Sequence, residues 1–380
     1  MSRFQGLGGA ATNRRPILAR LFAILGKFPN TPTMLRADQT ASRLPVGDTR
    51  LPDLIQARAK TALLHCRHSL RRLLYWLLIP LTFTLAFTPS RAESSEAAPL
   101  AAKSMLLDIA KAGTTFVAVG DRGHILISKD NGRTWIQSPV PARAMLTGVS
   151  FPDATHGWAV GHDGVILSTA DGGQTWHRQD KGDDLETIYL DVLFLDPQRG
   201  FAVGAYGKFI STRDGGETWK PGTPWAHDTH YNRLTASSGG QLFLAGESGS
   251  LLISSDTGLT WSPSAVPYDG SLFGYVPVDD HTGIVHGLRG HIFTSTDQGT
   301  SWTPHSSEIK ALIMGGTRLR SGVIVLGGQG GNFFISRDNG GSFSHWKPSR
   351  FGGSVAALAE AGDGALIAVG EAGVTRLTLP

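Results

Sequence analysis

Six short segments of the chain carry an aspartate in the same setting. They read SKDNGRTW at 128–135, TADGGQTW at 169–176, TRDGGETW at 212–219, SSDTGLTW at 254–261, STDQGTSW at 295–302 and SRDNGGSF at 336–343. A carboxylate flanked by hydroxyls can act as a general acid, ligate a metal, or organise a turn. Repetition at this density favours the turn. Each Asp can accept bonds from its own backbone amides, as Asx turns do. The Gly that follows supplies the positive φ such a turn needs. The closing aromatic buries a large surface against a neighbour. Asp130, Trp135, Asp171, Trp176, Asp214, Trp219, Asp256, Trp261, Asp297, Trp302, Asp338 and Phe343 are therefore assigned to architecture.

Other chemistries have weaker signals. His227, Asp228 and His230 are loosely spaced, with no further acidic or histidine cluster nearby, so no metal is expected. The one cysteine, Cys66, precedes residue 93, which leaves the rest of the chain without a thiolate ligand, a Cys nucleophile or a disulfide. The G-x-x-G strings sit in turns between strands rather than before helices, so they are not nucleotide fingerprints, and no cofactor is expected.

The elements that position these residues come from a repeat. A Gly ending an apolar run recurs at 120, 161, 204, 246, 287, 328 and 370, and the aspartate segment begins eight residues after each of the first six. The second unit contains four strand-sized pieces, Leu146–Phe151, Gly157–Val160, Val165–Thr169 and Trp176–Gln179. Four short strands in about 42 residues make a propeller blade, so the spacing predicts an all-β, seven-bladed β-propeller with Asp-box hairpins between third and fourth strands. The seventh unit offers only three strands, and a strand near Ala97–Lys103 is expected to close the ring.

Charge divides the chain. Residues 1–92 hold 14 Lys/Arg against 3 Asp/Glu, whereas 93–380 hold 21 against 28. The net of −7 on the second part argues against a nucleic-acid partner. Within the basic part, Arg67, Arg71 and Arg72 precede an apolar run from Leu73 to Phe87, and Ser90-Arg91-Ala92 places small residues for cleavage after Ala92. Residues 63–92 thus read as a signal peptide, 1–62 as a disordered extension or an over-predicted start, and 93–380 as the propeller.

Propeller geometry puts the turns between second and third strands on the face opposite the Asp-boxes, together with the connections between blades. Such turns need only their glycines, so the other side chains are free to bind. Arg122, Asp163, Tyr206, Glu247 and Arg289 come from the turns. Trp225, His227, Tyr231, Tyr268 and Tyr275 come from the long connections 221–233 and 262–275, and aromatic residues on loops are frequent interface anchors.

The Asp-boxes, the leader and strand ends such as FVAVGDRG, GWAVGHDG and GFAVGAYG together resemble the photosystem II stability and assembly factor family of thylakoid lumens and its bacterial relatives. The resemblance covers about 104–380. It implies a non-enzymatic scaffold, monomeric by itself, that binds a membrane-protein complex or its assembly intermediates from the periplasmic or lumenal side. In bacteria without photosystems it implies a periplasmic partner such as an RND-type exporter. An arginine patch is also implied, for which Arg122, Arg178, Arg233 and Arg289 are candidates by position. Asp-boxes occur in sialidases too, but the Arg-Ile-Pro motif expected near their first blade is replaced here by MLLDIAKAG. A glycosidase carboxylate pair among Asp163, Asp183, Asp184, Glu186, Asp228 and Glu247 remains the enzymatic alternative.

Overall fold

Runs such as FVAVG and GWAVG are apolar at every position, which suits strands buried on both faces. The computed structural model describes residues 94–180, 184–225, 229–305, 308–349 and 351–380. The leader assignments lie outside them. In the second repeat the strands are Leu146–Ser150, Gly157–Gly161, Ile166–Thr169 and His177–Arg178. Every repeat is an antiparallel meander, six of four strands and the last of three. The result is a seven-bladed β-propeller.

Seven apolar clusters hold it together, each between two successive blades. One unites Trp158, Val160 and Ile166 of blade 2 with Tyr189, Val192 and Phe194 of blade 3. Another joins Leu106, Phe116 and Leu126 of blade 1 to Ala357, Ile367 and Val369 of blade 7, which closes the ring. Polar contacts reinforce that junction. Arg133 Nη2 lies 2.7 Å from Asp363 Oδ2, and Gly362 N donates to Asn131 Oδ1 at 3.0 Å. Arg376 also pairs with Asp363.

The repeated Gly has a steric cause. Each inner strand shifts register by one residue near its start. The residue before that strand therefore presses its carbonyl onto the end of the second strand. A Cβ on Gly120, Gly161, Gly204, Gly246, Gly287, Gly328 or Gly370 would stand 1.8–2.6 Å from that oxygen. The next residue donates its N–H to the same oxygen, as in Gln329 N to Leu312 O at 2.8 Å. The Gly marks a bulge contact that ties the inner strand to the turn.

The expected closing strand is not observed. Ala101–Lys103 form a 3-10 turn, and the seventh sheet has three strands, Val355–Glu360, Leu366–Gly370 and Gly373–Leu377. Residues 95–98 bond instead to blade 1, with Ser95 N to Val140 O at 2.8 Å and Ala98 N to Gln137 Oε1 at 2.9 Å. Ala98, Ala101 and Ala102 are small enough to pack against Val374 and Trp135, and they fill the junction as an apolar plug rather than a ladder.

Candidate functional site

Both oxygens of each Asp-box carboxylate are bonded by their own turn. Asp214 Oδ1 accepts from Thr212 Oγ1 at 2.7 Å and Thr218 N at 2.9 Å, while Oδ2 accepts from Thr218 Oγ1 at 2.5 Å. The other five repeat the hydroxyl contact at 2.5–2.6 Å. These hydroxyl bonds hold Asp214, Asp256, Asp297 and Asp338 down at about 2. Trp135, Trp176, Trp219, Trp261, Trp302 and Phe343 each join the cluster shared with the preceding blade. An anion held this far below the ordinary carboxylate range is a poor proton donor at neutral pH, and three of its acceptor sites are already spent on its own turn.

The opposite face is built from two-residue turns. In blade 1 Arg122 has φ 56° and ψ 28°, and His124 N closes the turn on Asp121 O at 3.0 Å. Arg122, Asp163, Tyr206, Ser248 and Arg289 all sit at φ 54–59°, and Gly330 takes the equivalent place in blade 6. The side chains at this position are exposed. The turns of blades 2, 3 and 4 are braced by the connections beside them: Gly164 N donates to Thr187 O, Gly207 N to Thr229 O and Gly249 N to Gly270 O, at 2.8–2.9 Å.

The structure sorts the sequence candidates. Arg122, Asp163, Tyr206 and Arg289 stand exposed on this face, and Glu247 is half-buried beside His230. Tyr268 is half-buried, its hydroxyl donating to Leu288 O at 3.1 Å. Trp225 packs against the core between blades 3 and 4. Tyr231 and Tyr275 correct the loop assignment, being 1% and 7% exposed within the inner strands Tyr231–Ala236 and Leu272–Pro277. Tyr275 stacks on Phe243 at 3.7 Å. These strands start earlier than their polar flanks suggest, and both rings point between blades. His227 and Asp228 lie outside the described residues. Arg122 and Arg289 are on blades 1 and 5, Arg178 is tied to Asp180, and Arg233 lies in the channel, so the four arginines do not make one patch.

Sequence reasoning missed the channel centre. The third residues of the inner strands are Asp108, Gly148, Asp191, Arg233, Gly274, Gly315 and Ala357. Arg233 Nη2 donates to Asp108 Oδ1 at 2.7 Å, and its Nε stands 3.8 Å from Asp191 Oδ2. Each carboxylate also clips the next blade, Asp108 accepting from Val149 N at 3.0 Å and Asp191 from Leu234 N at 2.7 Å. Burial raises Asp191 well above the carboxylate range against the opposing pull of Arg233. His286 donates from Nδ1 to Ile313 O at 3.1 Å, and burial lowers it to about 4. Arg233 and His286 border a cavity of about 670 Å³ reaching Asp279, Arg318 and Arg320. Aligning the seven inner strands exposes the charged third position, which was the available signal.

Comparison with known proteins follows this architecture. The family model described as Photosynthesis system II assembly factor YCF48 matches residues 134–187 and 181–371. No curated protein matches the chain by sequence. Among solved structures, "YCF48 bound to D1 peptide" is similar with a TM-score of 0.61 and 17% identity, covering 78% of this chain and 97% of that one. "YCF48 from Cyanidioschyzon merolae" has a TM-score of 0.59 and 19% identity, covering 73% and 97%. The WD40 propeller domain of Doa1 has a TM-score of 0.57 at 13% identity, covering 75% and 95%, so the structural likeness by itself speaks for the fold.

Proposed function

The chain belongs to the photosynthesis system II assembly factor YCF48 family, and from that membership we propose that it is an exported, non-enzymatic scaffold. It holds a segment of a membrane-protein complex against the face opposite the Asp-boxes. One observation carries the choice of face: the Asp-box carboxylates bond within their own turns, while the opposite turns present Arg122, Asp163, Tyr206, Ser248 and Arg289 outward from one repeated position. A similar structure is described as bound to a peptide, which fits a protein whose work is holding another chain.

Cross-linking the protein to solubilised membranes, followed by mass spectrometry, tests this reading. Links from a membrane protein are expected near 121–124, 162–165, 205–208, 247–250 and 288–291. Links confined to the Asp-box hairpins would overturn the choice of face. Export predicts a mature N-terminus at Glu93 in the soluble envelope fraction; an intact leader in the cytoplasm would refute it. Turnover of sialosides or β-glucans that vanishes on replacing Glu186 or Asp228 would overturn the non-enzymatic assignment.

A further inference from the structure

Blades 2 to 4 carry an unusual stretch of the open face. Tyr206 has φ 54° and is 59% exposed. A bulky residue in the left-handed region is strained, and the equivalent position in blade 6 is simply Gly330. The turn imposes this φ on a non-Gly residue in five blades, so what is particular to blade 3 is a large ring at that position, left mostly in water. Gly330 shows that the turn does not require the ring, and exposed aromatic residues on loops are frequent interface anchors.

The surroundings have a consistent chemistry. Leu185, 69% exposed, tops a turn in which Asp184 accepts from Thr187 N at 3.0 Å and Thr187 Oγ1 at 2.6 Å. Lys208, two residues from Tyr206, reaches back to Thr187 Oγ1 at 3.0 Å and Asp184 Oδ2 at 3.8 Å. Leu185 and Tyr206 are thus fixed on adjoining elements of one face. On the far side, the Tyr206 ring meets His230 edge-on at 4.8 Å. Asp163 and Glu186 are exposed and make no ion pair among the described residues. With Glu247 they leave this region acidic, because Lys208 is already shared with Asp184.

A second observation marks the same place. His230 is 8% exposed, yet among the described residues its Nδ1 has no hydrogen-bond partner, and Glu247 Oε1 stands 3.7 Å away. The Thr229 hydroxyl beside it is also buried and unpaired among the described residues. Two buried polar atoms that the described residues leave unpaired thus lie beneath the Tyr206 ring and the Glu247 carboxylate.

We propose that Leu185 and Tyr206, rimmed by Asp163, Glu186 and Glu247, dock a peptide segment in which basic residues flank an apolar or aromatic side chain. The apolar side chain covers the exposed Leu and Tyr. The flanking cations meet Asp163 and Glu186, which make no ion pair among the described residues, beside the Glu247 carboxylate that His230 already contacts. This rests on the scaffold reading above and adds the chemistry of the segment held, which is the opposite of an acidic peptide seated on arginines.

Fluorescence anisotropy of the mature chain tests it with three short labelled peptides: one of Lys flanking Trp and Leu, its Glu-for-Lys counterpart, and its Ser-for-Trp/Leu counterpart. The first should bind, and rising salt should weaken it. Tyr206→Gly should weaken it by roughly tenfold or more with no fall in Tm, because Gly relieves the strain. Asp163→Asn with Glu186→Gln should weaken it while the Glu peptide gains. Equal or tighter binding of the Glu peptide to the parent protein, or Tyr206→Gly binding like the parent, overturns the proposal. Capture of a solubilised membrane complex separates the two readings. Equal capture by the parent and Tyr206→Gly rejects this surface and leaves the scaffold standing. Capture by neither rejects the scaffold itself.

Discussion

Arg233 donates a 2.7 Å hydrogen bond to Asp108 across the channel, although 125 residues separate them in sequence. With Asp191, the pair links blades 1, 3 and 4 through the centre of the ring. Arg233→Met removes the only cation of this group and leaves two buried carboxylates facing one another. Breaking a buried pair from one side costs about 3–5 kcal/mol. A matching fall in urea stability is expected, with partial recovery when Asp108→Asn is added. Stability unchanged in Arg233→Met would show that channel water already screens the group.

The same centre should give opposing pH dependences. Asp191 has a folded pKa of about 7, and an unfolded carboxylate titrates near about 4. Its contribution is therefore complete below about pH 4 and is lost as the pH rises through 7. His286 behaves oppositely. Its folded value of about 4 lies below the ordinary 6.5, so its contribution is present above 6.5 and lost as the pH falls through 4. Burial lowers His124, His162 and His305 as well, in the sense of His286. Asp191→Asn should make stability rise with pH across this window more steeply than in the parent. His286→Gln should tilt it the other way. Parallel urea profiles for all three proteins between pH 4 and pH 7 would contradict this.

Gly328 offers a steric test of the bulge contact. Its φ of −163° is ordinary extended backbone, so only space is at issue. An added Cβ would stand 1.8 Å from Leu312 O. Gly328→Ala should cost about 3 kcal/mol, because backbone rather than a flexible side chain must move. Gly240→Ala is the control: φ is 82° but nothing lies within 4 Å, so only backbone strain of about 1 kcal/mol is expected. Equal calorimetric midpoints for the two variants would refute the bulge explanation.

The Asp-boxes should behave as structural parts. Asp214→Asn and Asp256→Asn are each expected to lower the melting temperature and to leave binding at the opposite face unchanged. Their folded pKa values of about 2 lie below those of unfolded carboxylates, so their stabilisation is present above about pH 4 and is lost as the pH falls toward 2. Acid titration followed by circular dichroism should therefore show a later transition in the parent than in either variant.

Much of the fold was legible because it repeats. A local bulge and a local turn impose the same residues seven and six times, and a steric demand that recurs at fixed spacing leaves a visible period. The strand limits in the second repeat agree with expectation to within two residues. Tyr231 and Tyr275 were misplaced because a single Tyr does not state whether it ends a loop or starts a strand; the blade beside it decides that.

Sequence alone determined the seven blades, the Asp-box turns and the division of charge between basic residues 1–92 and the acidic remainder, since each depends on short-range pattern or composition. Only the tertiary structure decided which unlike residues meet. Asp108, Asp191 and Arg233 come together because ring closure brings inner strands from distant repeats to one axis. Leu185, Tyr206 and His230 share a surface because connections from successive blades fold beside one turn. Neither encounter has a period, and distance along the chain is a poor guide to distance in space once the ring has closed.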